Sequence, residues 1–366
     1  MNQSYRHRTK AGQACLLPAL VLGIILLTSC SSPAPTSESR LMLGTNITIT
    51  IHDSVPRGIF TAIWDRIDQI EQRMSINQAR YDDSELLQVN RAAGTHPVAV
   101  SDETLAVIQE GIRVGELTDG AFDISVAPLV LLWMVTGSTP RVPSEQAVTT
   151  ALELVDYTRI QIEGNEIYLP EPGMGIDVGG IAKGYAVAEA ARLLRESGVK
   201  HAILDFGGDL MAVGTRPDGR SWRIGLQDPT QRRGSLMGVV EVIDFSIVTS
   251  GVYERYFEQD GVRYHHIIDT QTGFPTRNEL TSVTILSVDP TFGDALSTGA
   301  FVMGLRDGFR LIEELEDVEG VFIDSMQRVY LTSGVRDRFR LLSEDFSVSC
   351  PLDIIDEDCP ERNTSP

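Results

Sequence analysis

Between residues 41 and about 342, stretches with strand-like patterning sit in neighbouring groups and do not alternate strictly with helices, which limits the fold more than any other feature of the chain. These stretches are 47–52, 160–169, 201–206, 222–226, 239–242, 264–268, 280–287 and 320–323. Helical periodicity marks 59–74, where Ile59, Ile63, Ile67, Ile70 and Met74 recur every three or four residues, and then 103–117, 181–196, 292–303 and 308–315. A doubly wound parallel sheet needs a helix between successive strands. The grouping therefore predicts an α+β fold of largely antiparallel sheets with packed helices, in one body over 41–342. After residue 343 the chain is acidic, carries Pro351 and Pro360 and lacks periodicity, which predicts a mobile tail over 343–366.

The first thirty residues bear on location. Arg6, Arg8 and Lys10 precede an uncharged apolar run to Leu27, closed by Thr28, Ser29 and Cys30. The run is shorter than the ~20 residues of a membrane-spanning helix. It resembles a bacterial lipoprotein signal over 1–29, with lipid (palmitate included) added at Cys30 and residues 30–40 as a polar tether. The expectation is a protein outside the cytoplasm, facing the periplasm from the inner or outer membrane and held there by its lipid alone. Loss of 1–29 removes three positive charges and no negative ones, taking the formal net charge from −20 to −23. Such a balance excludes nucleic acid and anionic headgroups as partners. Cys350 and Cys359 remain; they are able to close a short loop and equally able to stand unpaired. There is no Cys/His cluster at zinc spacing.

Chemistry concentrates in a few segments. Residues 175–185, GIDVGGIAKGY, bring Asp177, the Gly179-Gly180 backbone and Lys183 to the start of a helix, a pattern suited to an anion. It is not a phosphate-binding Walker loop, since Lys183 follows Ala182 and precedes Gly184. In residues 118–133 a turn at Asp119-Gly120 leads into Ala121, Phe122 and Asp123, either a plain helix end or one wall of an aromatic-ligand pocket. Residues 204–210, LDFGGDL, read as a turn whose Asp205 and Asp209 could face a common cleft. Polar residues crowd 248–255 and 264–273; strand alternation sends His265 and His266 to opposite faces, one inward and one solvated. Asp294 and Thr298 lie one helical turn apart with Ser297 beside them, offering hard oxygens to a cation or, more simply, an Asp helix cap.

Taken in order, these segments resemble the ApbE family, the FAD:protein FMN transferases, formerly labelled thiamine-biosynthesis lipoproteins. The resemblance covers about 43–303. It rests on MS…Y-x-x-SEL…N at 74–90, DGAFD…PLV-x-LW at 119–133, D-x-GG-x-AKGYA at 177–186, FGGD at 206–209, TSG-x-YER at 249–255, HIID-x-x-TG at 266–273 and DALST at 294–298. The resemblance implies an ApbE-like fold, related to the T-fold. It also implies FAD as substrate, met near Leu43, Tyr81, Ala121, Phe122, Asp123, Asp177, Lys183 and Ile268, and Mg²⁺ held by Asp294, Thr298, the main chain at Gly180 and Ser297. The implied reaction is attack of a Thr or Ser hydroxyl of an acceptor flavoprotein, a subunit of a membrane redox complex, on the FMN-side phosphorus, with AMP leaving. Lys183 and Mg²⁺ then neutralise charge and the Gly179-Gly180 backbone aligns the phosphates. His266 is the base and His265 is turned away, with an acid limb near the reference ~6.5. Asp177 is left with three roles: orienting Lys183, binding adenine or ribose, or moving a proton. Three departures stand out. Ala188 replaces a frequent Asp, Thr270 replaces a Pro and so loosens its turn, and about three extra residues separate Met74 from Tyr81. Two other activities fit the same residues: a metal-dependent FAD pyrophosphatase giving FMN and AMP, and a non-catalytic FAD-binding lipoprotein.

Overall fold

The computed structural model describes Met1, residues 34–137 and residues 139–349. The expected signal peptide, Cys30, Cys350 and Cys359 lie outside the described residues.

The body is organised by one nine-stranded sheet whose spatial order follows the chain. Its strands are β1 (Thr36–Met42), β2 (Thr45–Ile51), β3 (His201–Phe206), β4 (Leu210–Gly214), β5 (Ser246–Gly251), β6 (Leu280–Ser287), β7 (Val318–Asp324), β8 (Arg328–Leu331) and β9 (Ser347–Val348). Neighbours pair antiparallel throughout except β8 and β9, which run parallel. Helices α1 (Ile59–Met74), α2 (Glu85–Arg91), α3 (Asp102–Leu117), α4 (Ala127–Trp133), α5 (Glu145–Leu152) and α6 (Ala182–Glu196) are inserted between β2 and β3. Helix α7 (Pro290–Glu314) joins β6 to β7. Long insertions between strands that pair side by side account for the grouped pattern in the sequence.

Alternation divides the sheet's side chains between two cores. Ile49, Ile285 and Phe322 pack with Ile63 and Ile67 of α1, Val187 of α6 and Phe301 of α7. Leu286, Val321 and Ile323 face the other way, onto the hairpin Trp222–Gln227/Leu236–Val242. Helices α1, α6 and α7 therefore cover one face, and the cavity described below opens beside them.

Several expectations are corrected. The tether expected over 30–40 is folded from Thr36 onward, because its serines and threonines are cross-strand partners: Ser37 with Thr50 at 2.8 Å and Ser39 with Thr48 at 2.9 Å. Glu38 accepts the Trp64 Nε1 proton at 2.9 Å. At the other end, Phe346 is buried and β9 pairs with β8, so residues 343–349 belong to the body. The stretch 160–169 is a short hairpin, Gln161–Glu163 with Glu166–Tyr168, turned at Gly164. The helices expected at 292–303 and 308–315 form one run broken at Gly304 (φ 82°, ψ 178°). Beside Ala188, which departs from the usual acid, Glu189 bridges Arg66 of α1 at 2.8 Å.

Candidate active site

The site begins where α6 crosses the first turns of α7. A Cβ on Gly184 would lie 2.2 Å from the Pro290 carbonyl oxygen and 2.7 Å from Asp294 Cβ, so the crossing is possible only with glycine there. Asp289, not Asp294, caps α7, accepting from the amides of Thr291 and Phe292, with Pro290 in the first turn. Asp294 is free of the capping role and is 3% exposed. Its Oδ2 accepts the Gly184 amide at 2.8 Å and its Oδ1 lies 3.4 Å from Lys183 Nζ. Gly184→Ala is expected to force the helices apart at a cost of at least ~1–3 kcal/mol, lowering the melting temperature. A variant with the parental melting temperature would contradict this packing.

Lys183 Nζ also pairs with Asp209, which arrives on the turn between β3 and β4. That turn needs its glycines: Gly207 has φ 76°, and a Cβ there would meet Thr45 Oγ1 at 1.9 Å. Burial opposes the Lys183 ammonium, but the carboxylates of Asp209 and Asp294 outweigh it and raise the pKa, so Lys183 stays charged. Burial pushes Asp294 up, to about 7, against the pull of Lys183 and with the help of Asp209. Burial also raises Asp177, whose Oδ1 accepts the Gly179 amide at 2.7 Å. The backbone donors expected to meet an anion are largely engaged: Gly179 with Asp177, Ile181 and Ala182 with the Val178 carbonyl, and Gly184 with Asp294.

Beside Asp294 lies a cluster of hydroxyls. Ser250 Oγ is 2.8 Å from Ser297 Oγ and 3.3 Å from Thr298 Oγ1, and Ser297 Oγ donates to the Asp294 carbonyl at 2.8 Å. Gly180 opposes them, its Cβ position 3.8 Å from Thr298 Oγ1. Among the described residues no group of three His, Cys, Asp or Glu side chains is placed to hold a metal. One carboxylate among neutral oxygens suits a hard cation that takes its remaining ligands from phosphate and water, so the set fits Mg²⁺ bound together with a substrate.

These groups border a cavity of about 510 Å³, within the usual range for a small-molecule site. A second cavity of about 230 Å³ shares Gly44, Asp177, Gly179, Lys183 and Arg255 with it. The space thus has two lobes, with Lys183 and Arg255 on the wall between them. His266 faces the larger lobe, and its Nδ1 is 3.3 Å from the Arg255 carbonyl. A carbonyl can only accept, so Nδ1 carries the proton and Nε2 offers a lone pair. Burial first, then the Arg255 cation, pushes His266 down to about 3. His265 is not solvated as expected: it is 5% exposed, edge-on to Phe301, with Nε2 on the Thr276 carbonyl at 2.8 Å. The strand Val262–His265 ends there, with the His265 ring buried against Phe301 of α7 and the His266 ring half-buried at the cavity wall.

The ApbE family model matches residues 43–322. This chain belongs to the ApbE family. Among curated relatives, an FAD:protein FMN transferase of Klebsiella pneumoniae is 33% identical over 298 residues, covering 81% of this chain and 91% of that one. One of Vibrio cholerae is 35% identical over 297 residues, covering 79% and 88%. Among solved structures, the flavin transferase ApbE from Vibrio cholerae superposes with a TM-score of 0.72 at 31% identity, covering 83% of this chain and 99% of that one. The ApbE protein of Thermotoga maritima gives 0.76 at 32%, covering 82% and 98%.

Of the residues that the ApbE resemblance implicates, Ala121, Phe122, Asp123, Asp177, Gly180, Lys183, His266, Ile268, Asp294 and Thr298 border the larger lobe. Ser297 lies behind it, fully buried, and Leu43 borders only the smaller lobe. Leu43 (φ 51°) and Gly44 (φ 69°) form the two-residue turn between β1 and β2. Tyr81 borders neither lobe; its hydroxyl donates to Asp68 at 3.2 Å. The Asp123 carboxylate is consumed by the Ser125 amide and hydroxyl and the Tyr157 amide, which leaves its backbone to meet a ligand. Thr270 does not loosen its turn, because its hydroxyl donates to the Gly120 carbonyl at 2.6 Å. Asp205 caps the Gly208 amide, and only Asp209 of that pair reaches the cleft. Ser250, Arg255 and Arg233 are site residues that sequence reasoning did not single out. The first two lie in the TSG-x-YER motif and were recoverable from it, whereas Arg233 sits in a loop without any motif.

Proposed function

We propose that this protein transfers FMN from FAD to a Thr or Ser hydroxyl of another protein and releases AMP. The observation that carries the reading is Lys183, a half-buried ammonium that with Arg255 borders both cavity lobes and is flanked by Asp209 and Asp294. A dinucleotide has two ring systems joined by a pyrophosphate, and this arrangement offers two spaces joined by cations. The acceptor oxygen forms a bond to the FMN-side phosphorus, the bond from that phosphorus to the bridging oxygen breaks, and AMP departs with that oxygen. His266 Nε2 takes the hydroxyl proton. Lys183 and Arg255 hold the pyrophosphate, and Asp209 keeps Lys183 charged and aimed. Bound by Asp294, Thr298 and the neighbouring hydroxyls, Mg²⁺ would supply further positive charge for the phosphates. Lys183→Ala removes a charged hydrogen bond worth roughly 1.5–3 kcal/mol, so FAD affinity or turnover should fall about ten- to a hundredfold. A loss under about threefold would place Lys183 outside the pyrophosphate site.

Residues 1–30 support anchorage by lipid on Cys30, outside the cytoplasm, and such a location fits an acceptor subunit in a membrane redox complex. The experiment that tests the reaction compares AMP release with flavin bound to acceptor protein. Transfer predicts equal amounts. AMP matched by free FMN with no protein-bound flavin would make the activity a pyrophosphatase, and FAD binding without AMP would make the protein a carrier.

A further inference from the structure

The larger lobe is met by a cation from outside every motif. Arg233 lies in the loop 228–235 between the two strands of the hairpin Trp222–Gln227/Leu236–Val242, and it borders the cavity of about 510 Å³. The loop is held in a shape that presents this side chain. Gln227 grips the backbone on both sides of Arg233: its Nε2 donates to the Arg232 carbonyl at 3.1 Å and its Oε1 accepts the Gly234 amide at 2.9 Å. Gly234 makes the bend at φ 101°, a conformation open to glycine. Asp228, 4% exposed, fixes the start of the loop by accepting the Thr230 amide at 2.8 Å and hydroxyl at 2.7 Å. The guanidinium reaches the turn between β3 and β4, with Nη2 3.7 Å from the Cβ position of Gly208, which adjoins Asp209 and borders the same lobe. Asp209 and Asp294 are taken by Lys183, and among the described residues no carboxylate forms an ion pair with Arg233. A fork of charged N–H donors at the wall of this cavity is thus left for a ligand. We infer that Arg233 donates to a phosphate oxygen of bound FAD, a third cation beside Lys183 and Arg255, making it a substrate-binding residue. The inference rests on the FAD reading above. The AMP and FMN halves both carry that phosphate chemistry, and titrating them apart separates the two sources.

Arg233 is exposed, so Arg233→Gln should fold and melt like the parental protein. Its FAD affinity, measured by titration calorimetry or flavin fluorescence, should fall about tenfold, the effect of one charge-assisted hydrogen bond. AMP or FMN, whichever half places its phosphate at Arg233, should weaken by a similar factor. Adenosine and riboflavin, which have no phosphate, should bind the variant and the parental protein alike. Arg232 borders neither lobe, so Arg232→Gln removes the same charge one position away and its loss should stay below about threefold. Parental FAD affinity should also decline more steeply with ionic strength than that of Arg233→Gln, because the variant has one charged contact fewer to screen. The inference is overturned if Arg233→Gln binds FAD within about threefold of the parental protein, if Arg232→Gln loses as much, or if adenosine and riboflavin weaken with the phosphate ligands. Failure of the parental protein to bind FAD would instead refute the functional reading, and the inference with it.

Discussion

Asp294→Asn should release AMP from FAD on the order of 10²- to 10³-fold more slowly than the parental protein while remaining folded, and Asp294→Ala should lose at least as much. Asparagine keeps an oxygen for the Gly184 amide, now at 2.8 Å, and removes only the charge beside Lys183 and the hydroxyl cluster. Alanine also strands that amide, at roughly 1–3 kcal/mol, so it should melt lower. The pH dependence carries a sign. Asp294 is raised to about 7 from the usual carboxylate range, so without a cation its ionisation costs stability that is present at acid pH and lost as pH rises toward 7. A cation that needs the ionised carboxylate should therefore raise the melting temperature more at pH 8 than at pH 5.5. Parental turnover in Asp294→Asn, or undiminished activity in a chelator, would remove Asp294 from the reaction.

His266→Asn should bind FAD nearly as the parental protein does and transfer FMN slower by on the order of 10² to 10⁴, the usual contribution of a general base. His265→Asn should instead lower stability, since His265 is buried on the Thr276 carbonyl with Phe301 against its ring. The structure moves the acid limb expected near 6.5. With His266 pushed down to about 3, the base stays unprotonated and kcat/KM should not fall as pH drops through 6.5. The same shift works against the fold in acid: an unfolded His266 takes a proton from about pH 6.5 downward while the folded one does not, so stability declines toward pH 3. Bound pyrophosphate, being anionic, raises the value in the complex and places the kcat limb above that of kcat/KM. An acid limb at 6.5 in kcat/KM that persists in His266→Asn would transfer the role of base to another residue, with Asp177 the next candidate.

The legible parts of the chain were those in which a local pattern and a tertiary requirement coincide. Isoleucines alternate along β2 and repeat every three or four residues along α1 because both line one core. Gly184 follows Lys183 because a carbonyl of α7 occupies the space of its Cβ. Strand grouping conveyed the antiparallel sheet because its spatial order is its chain order. Illegible were features that depend on distant partners. Residues 36–40 have a linker's composition, yet Ser37 and Ser39 are paired with Thr50 and Thr48 and Glu38 with Trp64. Alternation sent His265 to solvent, but the strand stops at that residue and α7 covers it. Asp177 was one candidate to orient Lys183, with two other roles open to it; the structure pairs Lys183 with Asp209, from a turn whose two aspartates the sequence could only place near a common cleft.

The most direct test of the central claim is the intact mass of an acceptor flavoprotein after incubation with the folded domain, FAD and Mg²⁺. The account predicts a gain equal to FMN less one water, one AMP released for each modified acceptor, no gain when the acceptor's hydroxyl residue is replaced by alanine, and a gain slower by on the order of 10² to 10³ when the domain carries Asp294→Asn. AMP release with an unmodified acceptor, a mass gain on the acceptor lacking its hydroxyl, or a gain at the parental rate with Asp294→Asn would contradict it.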